Sequence, residues 1–200
     1  MATLWTVGHS NRSWDEFLDI LRSAGIEAVV DVRRFAGSRR HPHFSGQVMA
    51  EELPRTDIQY VPMPDLGGRR QASPDSPNDA WRNASFRGYA DYMATPPVRQ
   101  ARERLAALAQ ECRTTVMCAE AWWWQCHRGL IADAFKADGW EVVHLMGAGR
   151  TDEHPYTSAA RLEEVPSTPG VPLPGAPRSC RDVRRFGRRP SGGPPPSRRP

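Results

Sequence analysis

The chain has 200 residues, enough for one domain with a buried core and some extension. No apolar run approaches the roughly 20 residues that span a bilayer. The opening MATLWTVGHSNRSWDEF has neither a basic n-region nor an apolar h-region. Together these exclude a membrane-spanning chain and leave a soluble, cytoplasmic protein, with no membrane partner, as the expectation.

The net charge of +4 is unevenly placed. Residues 161–200 carry nine arginines (161, 178, 181, 184, 185, 188, 189, 198, 199) against Glu163, Glu164 and Asp182, a net of +6. The preceding 160 residues therefore come to −2. The basic character belongs to the tail rather than to the folded part.

Taken in chain order, Leu4–Val7 is a short apolar run ending at Gly8. Ser13 with Glu16 three residues on forms a capping-box pattern, Phe17, Leu18 and Leu21 share a helical face, and Gly25 stops the helix. The β-branched run IEAVVDVR predicts a strand buried on both faces. IQYVPMP predicts a further strand, which Pro62 and Pro64 assign to an edge. Thr95 and Pro96 open a helix with Val98, Ala101, Leu105 and Leu108 along its stripe. TTVMCAE reads as the next strand. A helix follows Cys126, striped by Leu130, Ile131, Ala134 and Phe135, and WEVVHL is the last strand. Residues 33–57 and 65–95 are read as long irregular loops, of the kind that are functional or mobile. From about Val165 the chain is rich in Pro, Gly, Ser and Arg, and disorder is expected.

The alternation of strands and helices predicts an α/β fold: a single domain with a mostly parallel β-sheet flanked by helices on both faces, followed by a disordered C-terminal tail. The boundaries are 1–162 for the domain and 163–200 for the Pro/Arg-rich tail. In a parallel sheet all strand C-termini share one edge, where ligands bind. His9, Ser10 and Asn11 follow the first strand; Asp31 and Arg33 close the second; Gly67 and Gly68 follow the third. Cys118 and Glu120 follow TTVM, with Cys126, His127 and Arg128 beyond them, and His144 closes the last strand.

A helix N-terminus has free N–H groups and a positive partial charge. A cysteine there, beside an imidazole and a guanidinium, should carry thiolate character and cradle an anion. Cys126 is thus the candidate nucleophile or anion-cradling thiolate. Asp31 or Glu120 would orient His9 or His127 as acid/base. Arg128 and Arg33 would clamp an anion, with Ser10, Asn11, Gly67 and Gly68 lining its site. The bland alternatives are a buried small residue for Cys126, a capping residue for His127, an ion pair for Arg128 and a core position for Cys118.

No cofactor motif is present. Zinc is the competing reading of Cys118, Cys126, His127, His9 and His144. It is set aside because the chain has no CxxC or HxxxH pair, so no metal ligand is assigned. All four cysteines (112, 118, 126, 180) are read as reduced. Trp122, Trp123 and Trp124 cannot share one face, so a lid, a base-stacking surface, a plug under the loop and a dimer contact all remain open.

Several phrases in this order, TVGHSNRSWDEFLDIL, VVDVRRFAGSRRHPHF, LGGRR, NASFRGYADYM, MCAEAWWWQCHRGLIADAF and HPYTSAARL, resemble the DUF488 family of uncharacterised bacterial proteins. The resemblance covers about residues 3–162. The family's recurrent residues match at His9, Ser10, Asp31, Arg33, Gly67, Gly68, Cys118, Glu120, Cys126, His127 and Arg128. Where many members have a proline before the Cys-His-Arg triplet, this chain has AWWWQ, the mark of a subgroup. The resemblance implies an α/β fold and no particular reaction.

Three readings of function follow. The first is an enzyme-like, anion-binding pocket at the strand C-terminal edge, for a phosphate- or carboxylate-bearing small molecule or nucleotide. The second is a nucleic-acid-associated protein using loops 33–40 and 69–70, the tryptophans and the tail. The third is a non-catalytic domain in which Cys-His-Arg is a structural network.

Overall fold

The computed structural model describes residues 2–161. Leu162, the expected tail and Cys180 lie outside the described residues. The central feature is a six-stranded sheet: β1 (Thr3–Gly8), β2 (Ala28–Asp31), β3 (Gln59–Pro62), β4 (Thr114–Cys118), β5 (Glu141–Gly147) and β6 (Arg150–Glu153). Its order is β3-β2-β4-β1-β5-β6. The first five strands run parallel and β6 pairs antiparallel with β5.

Five helices connect them: α1 (Trp14–Ser23), α2 (Gly46–Glu52), α3 (Ala84–Met93), α4 (Pro96–Glu111) and α5 (Arg128–Ala137). α1 begins where the capping box predicts, with Ser13 Oγ accepting from the Glu16 N–H and the Glu16 carboxylate accepting from the Ser13 N–H. It buries Phe17, Leu18, Ile20 and Leu21, at roughly 1.5–3 kcal/mol each. They pack with Val7, Val29, Met117 and Leu145 of the sheet and with Phe44, Met49 and Leu53 of the α2 region. α4 and α5 cover the opposite face, packing against Leu4, Val30, Val116 and Val142. β3 lies at an edge, as its prolines require.

Three elements depart from the sequence expectation. Residues 33–57 hold α2 between two 3₁₀ turns, and residues 65–95 hold α3. α2 is short and starts on a glycine, so its stability comes from burying Met49 rather than from propensity. α3 buries only Gly88 and Tyr89, too few residues to show a stripe, although Asn83 caps it through two backbone N–H groups. β6 is exposed at all four residues and has no apolar alternation to read.

Strand order determines where a site can form. From β1 the chain crosses over β4 to β2 by way of α1, on one face. From β4 it crosses over β1 to β5 by way of α5, on the other face. The loops leaving β1 and β4 therefore part at neighbouring strand ends. That is the switch point at which open parallel sheets present a crevice. Pairing persists past the strands there: His9 N–H donates to Cys118 O (3.0 Å) and Ser10 N–H to Ala119 O (2.9 Å). Gly8 permits this close approach, because a Cβ at that position would stand 1.9 Å from the Glu120 carbonyl.

No helix among the described residues is long and apolar enough to cross a membrane.

Candidate functional site

Two neighbouring recesses open at this crevice. The first, of about 290 Å³, is lined by Cys118, Cys126 and His127, with Gly68, Tyr89 and Phe86 around them and Arg34 and Arg69 among its other walls. The second, of about 520 Å³, is lined by His9, Ser10 and Asn11 together with Arg39, Arg40 and His41. Arg33, Phe35, Arg69, Ala119 and Glu120 border both. Among the described residues only Ser10, Asp57 and Arg69 are non-glycines at positive φ. Asp57 ends a 3₁₀ turn, whereas Ser10 (φ 49°) and Arg69 (φ 59°) both border the recesses. Backbone strain of that kind concentrates at functional sites.

The chemistry of the first recess centres on three side chains. Cys118 ends β4, Cys126 ends the 3₁₀ turn Trp123–Gln125, and His127 is the N-cap of α5. Both sulfurs are free thiols, as a reduced chain requires. Cys112 is not a free thiol, which departs from that expectation. His127 Nε2 lies 3.1 Å from the Val32 carbonyl and donates to it, leaving Nδ1 facing Sγ of Cys126 (3.6 Å) and of Cys118 (3.9 Å). Tyr89 meets the ring edge to face at 4.9 Å, and its hydroxyl donates to Leu66 O at 2.8 Å. Gly68 is the space for the imidazole, since a Cβ there would lie 2.8 Å from Nδ1.

The two thiols are pushed apart in acidity. Burial raises the Cys126 pKa, but the hydrogen bond from Cys118 and the charges of His127 and Arg128 outweigh it, and the pKa falls well below the ordinary thiol value. Cys118 moves up, first because it donates to Cys126 and second because it is buried. Of the two, Cys126 is therefore the more acidic thiol.

Arg128 is placed elsewhere than a clamp would be. It is 1 % exposed and donates to the backbone carbonyls of Glu120 (2.6 Å) and Ala121 (3.3 Å) and to Thr6 Oγ1 (3.4 Å). Its Nε has no partner among the described residues. Arg128 shapes the β4 exit loop from behind and contributes charge, not a contact, to the recess. Cys126 is likewise not at a free helix N-terminus: its own N–H donates to Trp123 O, and α5 starts two residues later.

Asp31 and Arg33 form a buried bidentate pair, with Arg33 Nε to Oδ1 at 2.8 Å and Arg33 Nη2 to Oδ2 at 2.6 Å. Tyr60 donates to Oδ2 at 2.6 Å, and Arg33 Nη1 stands 3.2 Å from His9 Nε2. His9 Nδ1 donates to the Ser10 carbonyl, so its Nε2 accepts from Arg33 and the ring is neutral. Its pKa is lowered to about 4, first by burial and then by Arg33. Asp31 therefore acts on His9 only through Arg33 and makes no hydrogen bond to His127. The exposed Glu120 carboxylate borders both recesses and makes no hydrogen bond to either histidine. Gly67 lies behind the wall, packed on the Arg34 backbone.

His144 is inside the sheet, not at its edge. It is the register partner of Thr6, whose hydroxyl lies 2.7 Å from Nδ1, and its Nε2 contacts His154 Nδ1 at 2.9 Å. His154 continues to Asp133 at 3.0 Å. Trp123 covers this chain, stacked on His144 at 4.5 Å. Of the three tryptophans one is thus the plug, while Trp122 and Trp124 stack on each other in solvent at 4.9 Å.

Sequence reasoning missed Phe86 and Tyr89, while Arg34, Phe35 and Arg69 entered it only through the loops 33–40 and 69–70 of the nucleic-acid reading.

The family described as "Domain of unknown function DUF488" matches residues 13–135. No curated protein and no solved structure matches the chain.

Proposed function

We propose that this chain, which belongs to the DUF488 family, is an enzyme that uses Cys126 as a thiolate nucleophile on a small anionic substrate. The observation that carries this reading is the recess itself. It places Cys126, its proton partner Cys118 and the His127 imidazole on one wall, with Arg34 and Arg69 on others. His127 Nδ1 exchanges a proton with Cys126 while Nε2–H is anchored to Val32 O, the division of labour of a base with an orienting partner. The arginine guanidiniums favour carboxylate or phosphate, and the volume suits a small molecule rather than a polymer.

Competing alkylation by a neutral and an anionic reagent tests both halves. In reduced, chelator-treated protein, Cys126 should react ahead of Cys118 with iodoacetamide, as located by peptide mass spectrometry. Iodoacetate should gain about tenfold at Cys126 relative to a free thiol at low salt, and lose that gain as salt rises or in Arg69→Gln. A Cys126 no faster than a free thiol, or one that discriminates against iodoacetate, refutes the reading.

Gly68→Ala addresses the same geometry from the backbone. Its Cβ would stand 2.8 Å from Nδ1, 3.0 Å from Cγ and 3.4 Å from Cβ of His127, so the whole ring must shift, with no main-chain atom among these contacts. Cys126 alkylation is expected to slow by roughly ten- to hundredfold while the unfolding midpoint changes little. An unchanged alkylation rate would show that His127 does not govern the thiol.

A further inference from the structure

The donor atoms of Cys118, Cys126 and His127 all lie within 4.8 Å of one another. A tetrahedral zinc ion bound at Zn–S ≈ 2.3 Å and Zn–N ≈ 2.0–2.1 Å spaces a nitrogen and a sulfur donor by about 3.5 Å, and two sulfurs by about 3.8 Å. The Nδ1–Sγ separations here are 3.6 and 3.9 Å. For thiol–imidazole hydrogen bonds these distances are long. For ligands around one ion the two Nδ1–Sγ distances need no rearrangement beyond tenths of an ångström.

We infer that Cys118, Cys126 and His127 form a three-donor site for Zn²⁺, with its fourth coordination position opening into the recess. Four further observations support this. First, the tautomer is already set: Nε2–H is spent on Val32 O, the kind of backbone anchor that orients metal-ligating histidines, so the bare Nδ1 is the nitrogen that faces the sulfurs. Second, the donors come from a strand end, Cys118, and from the turn–helix junction Cys126–His127, so two elements of regular structure hold the set. Third, two sulfurs and an imidazole are a soft donor set suited to zinc and unsuited to Mg²⁺ or Ca²⁺. Fourth, all three residues line the first recess, which leaves its open side for a water or an anionic ligand. No CxxC spacing announces the site, because Cys118 and Cys126 are brought together by the fold across the β4 exit loop.

Binding would take the lone pairs of the two sulfurs and of the bare Nδ1, and the Cys118 proton would leave for solvent. Metal-bound and free-thiolate forms are then alternative states of the same side chains, with zinc holding the nucleophile in reserve. That regulatory consequence rests on the thiol reading above; the metal site does not.

Cobalt(II) titration of the reduced, chelator-stripped full chain is the test. One equivalent should bind, with thiolate-to-cobalt charge transfer in the near ultraviolet and the intense visible bands of tetrahedral Co²⁺. Zinc should bleach both. Cys126→Ser should lose the bands, and wild-type chain alkylated at Cys126 after folding should lose them too, which covers a variant that fails to fold. Absence of the charge-transfer band, or its persistence in alkylated protein, overturns the inference. Alkylation of the stripped protein separates the two proposals. A fast Cys126 without cobalt bands removes the metal and keeps the nucleophile. Cobalt bands with a sluggish Cys126 do the reverse.

Discussion

Asp31→Ala is expected to destabilise the fold by about 3–5 kcal/mol. The carboxylate is 1 % exposed and accepts four hydrogen bonds: the Arg33 N–H and Nε on Oδ1, and Arg33 Nη2 and the Tyr60 hydroxyl on Oδ2. Burial lowers the Arg33 pKa, but the bonds and charge of Asp31 outweigh it and hold the guanidinium above its ordinary value. Tyr60 is pushed up, by burial first and by the carboxylate second. Removing the anion leaves a buried guanidinium and a phenol without their acceptor. Urea unfolding followed by circular dichroism measures the loss, and Asp31→Leu with Arg33→Met should cost less than the two single changes combined. A cost under about 1 kcal/mol for Asp31→Ala would mean the pair is solvated rather than buried. The same pair supports His9 through Arg33 Nη1, so the second recess should lose its shape together with the stability.

Acid should unfold the protein well before its carboxylates titrate fully. His9 and His144 are lowered from 6.5 to about 4 and about 3, in each case first by burial, followed by Arg33 for His9 and by His154 and Arg128 for His144. A group whose pKa is depressed on folding binds its proton more readily in the unfolded chain. Its contribution to stability is therefore full above pH 6.5 and is lost as pH falls towards the folded value. By pH 4 each histidine is expected to remove about 3 kcal/mol, a large part of a typical domain's stability. Urea unfolding free energies between pH 7 and pH 4 check this. His144→Asn, which keeps a hydrogen-bonding group near Thr6, should show a shallower fall. A flat profile, or histidine resonances titrating near 6.5, would contradict the buried neutral assignment.

The local code for the main elements was legible. Ser13 and Glu16 set the start of α1, Pro96 set the start of α4, and the β-branched run before Arg33 announced a strand buried on both faces. Those signals act over a turn or a few residues, so they survive without tertiary context. α2 and α3 were invisible for the opposite reason: their few buried residues, such as Met49 and Tyr89, are held by partners remote in sequence. For the site, residue type was readable and role was not. Cys126 and His127 were named together, and Sγ faces Nδ1 at 3.6 Å. Arg128 looked like an anion clamp because a guanidinium beside a thiol suggests one, yet its fork turns inward to the Glu120 and Ala121 carbonyls.

By itself the sequence determined the mostly parallel α/β fold, because hydrophobic periodicity and caps are properties of neighbouring residues. Only the tertiary structure decided which of the polar groups at the sheet edge share a space. The order β2-β4-β1 divides the edge into two recesses and brings Cys118 and His127 to either side of one point. That juxtaposition depends on crossovers and on side-chain direction, neither of which a linear spacing encodes.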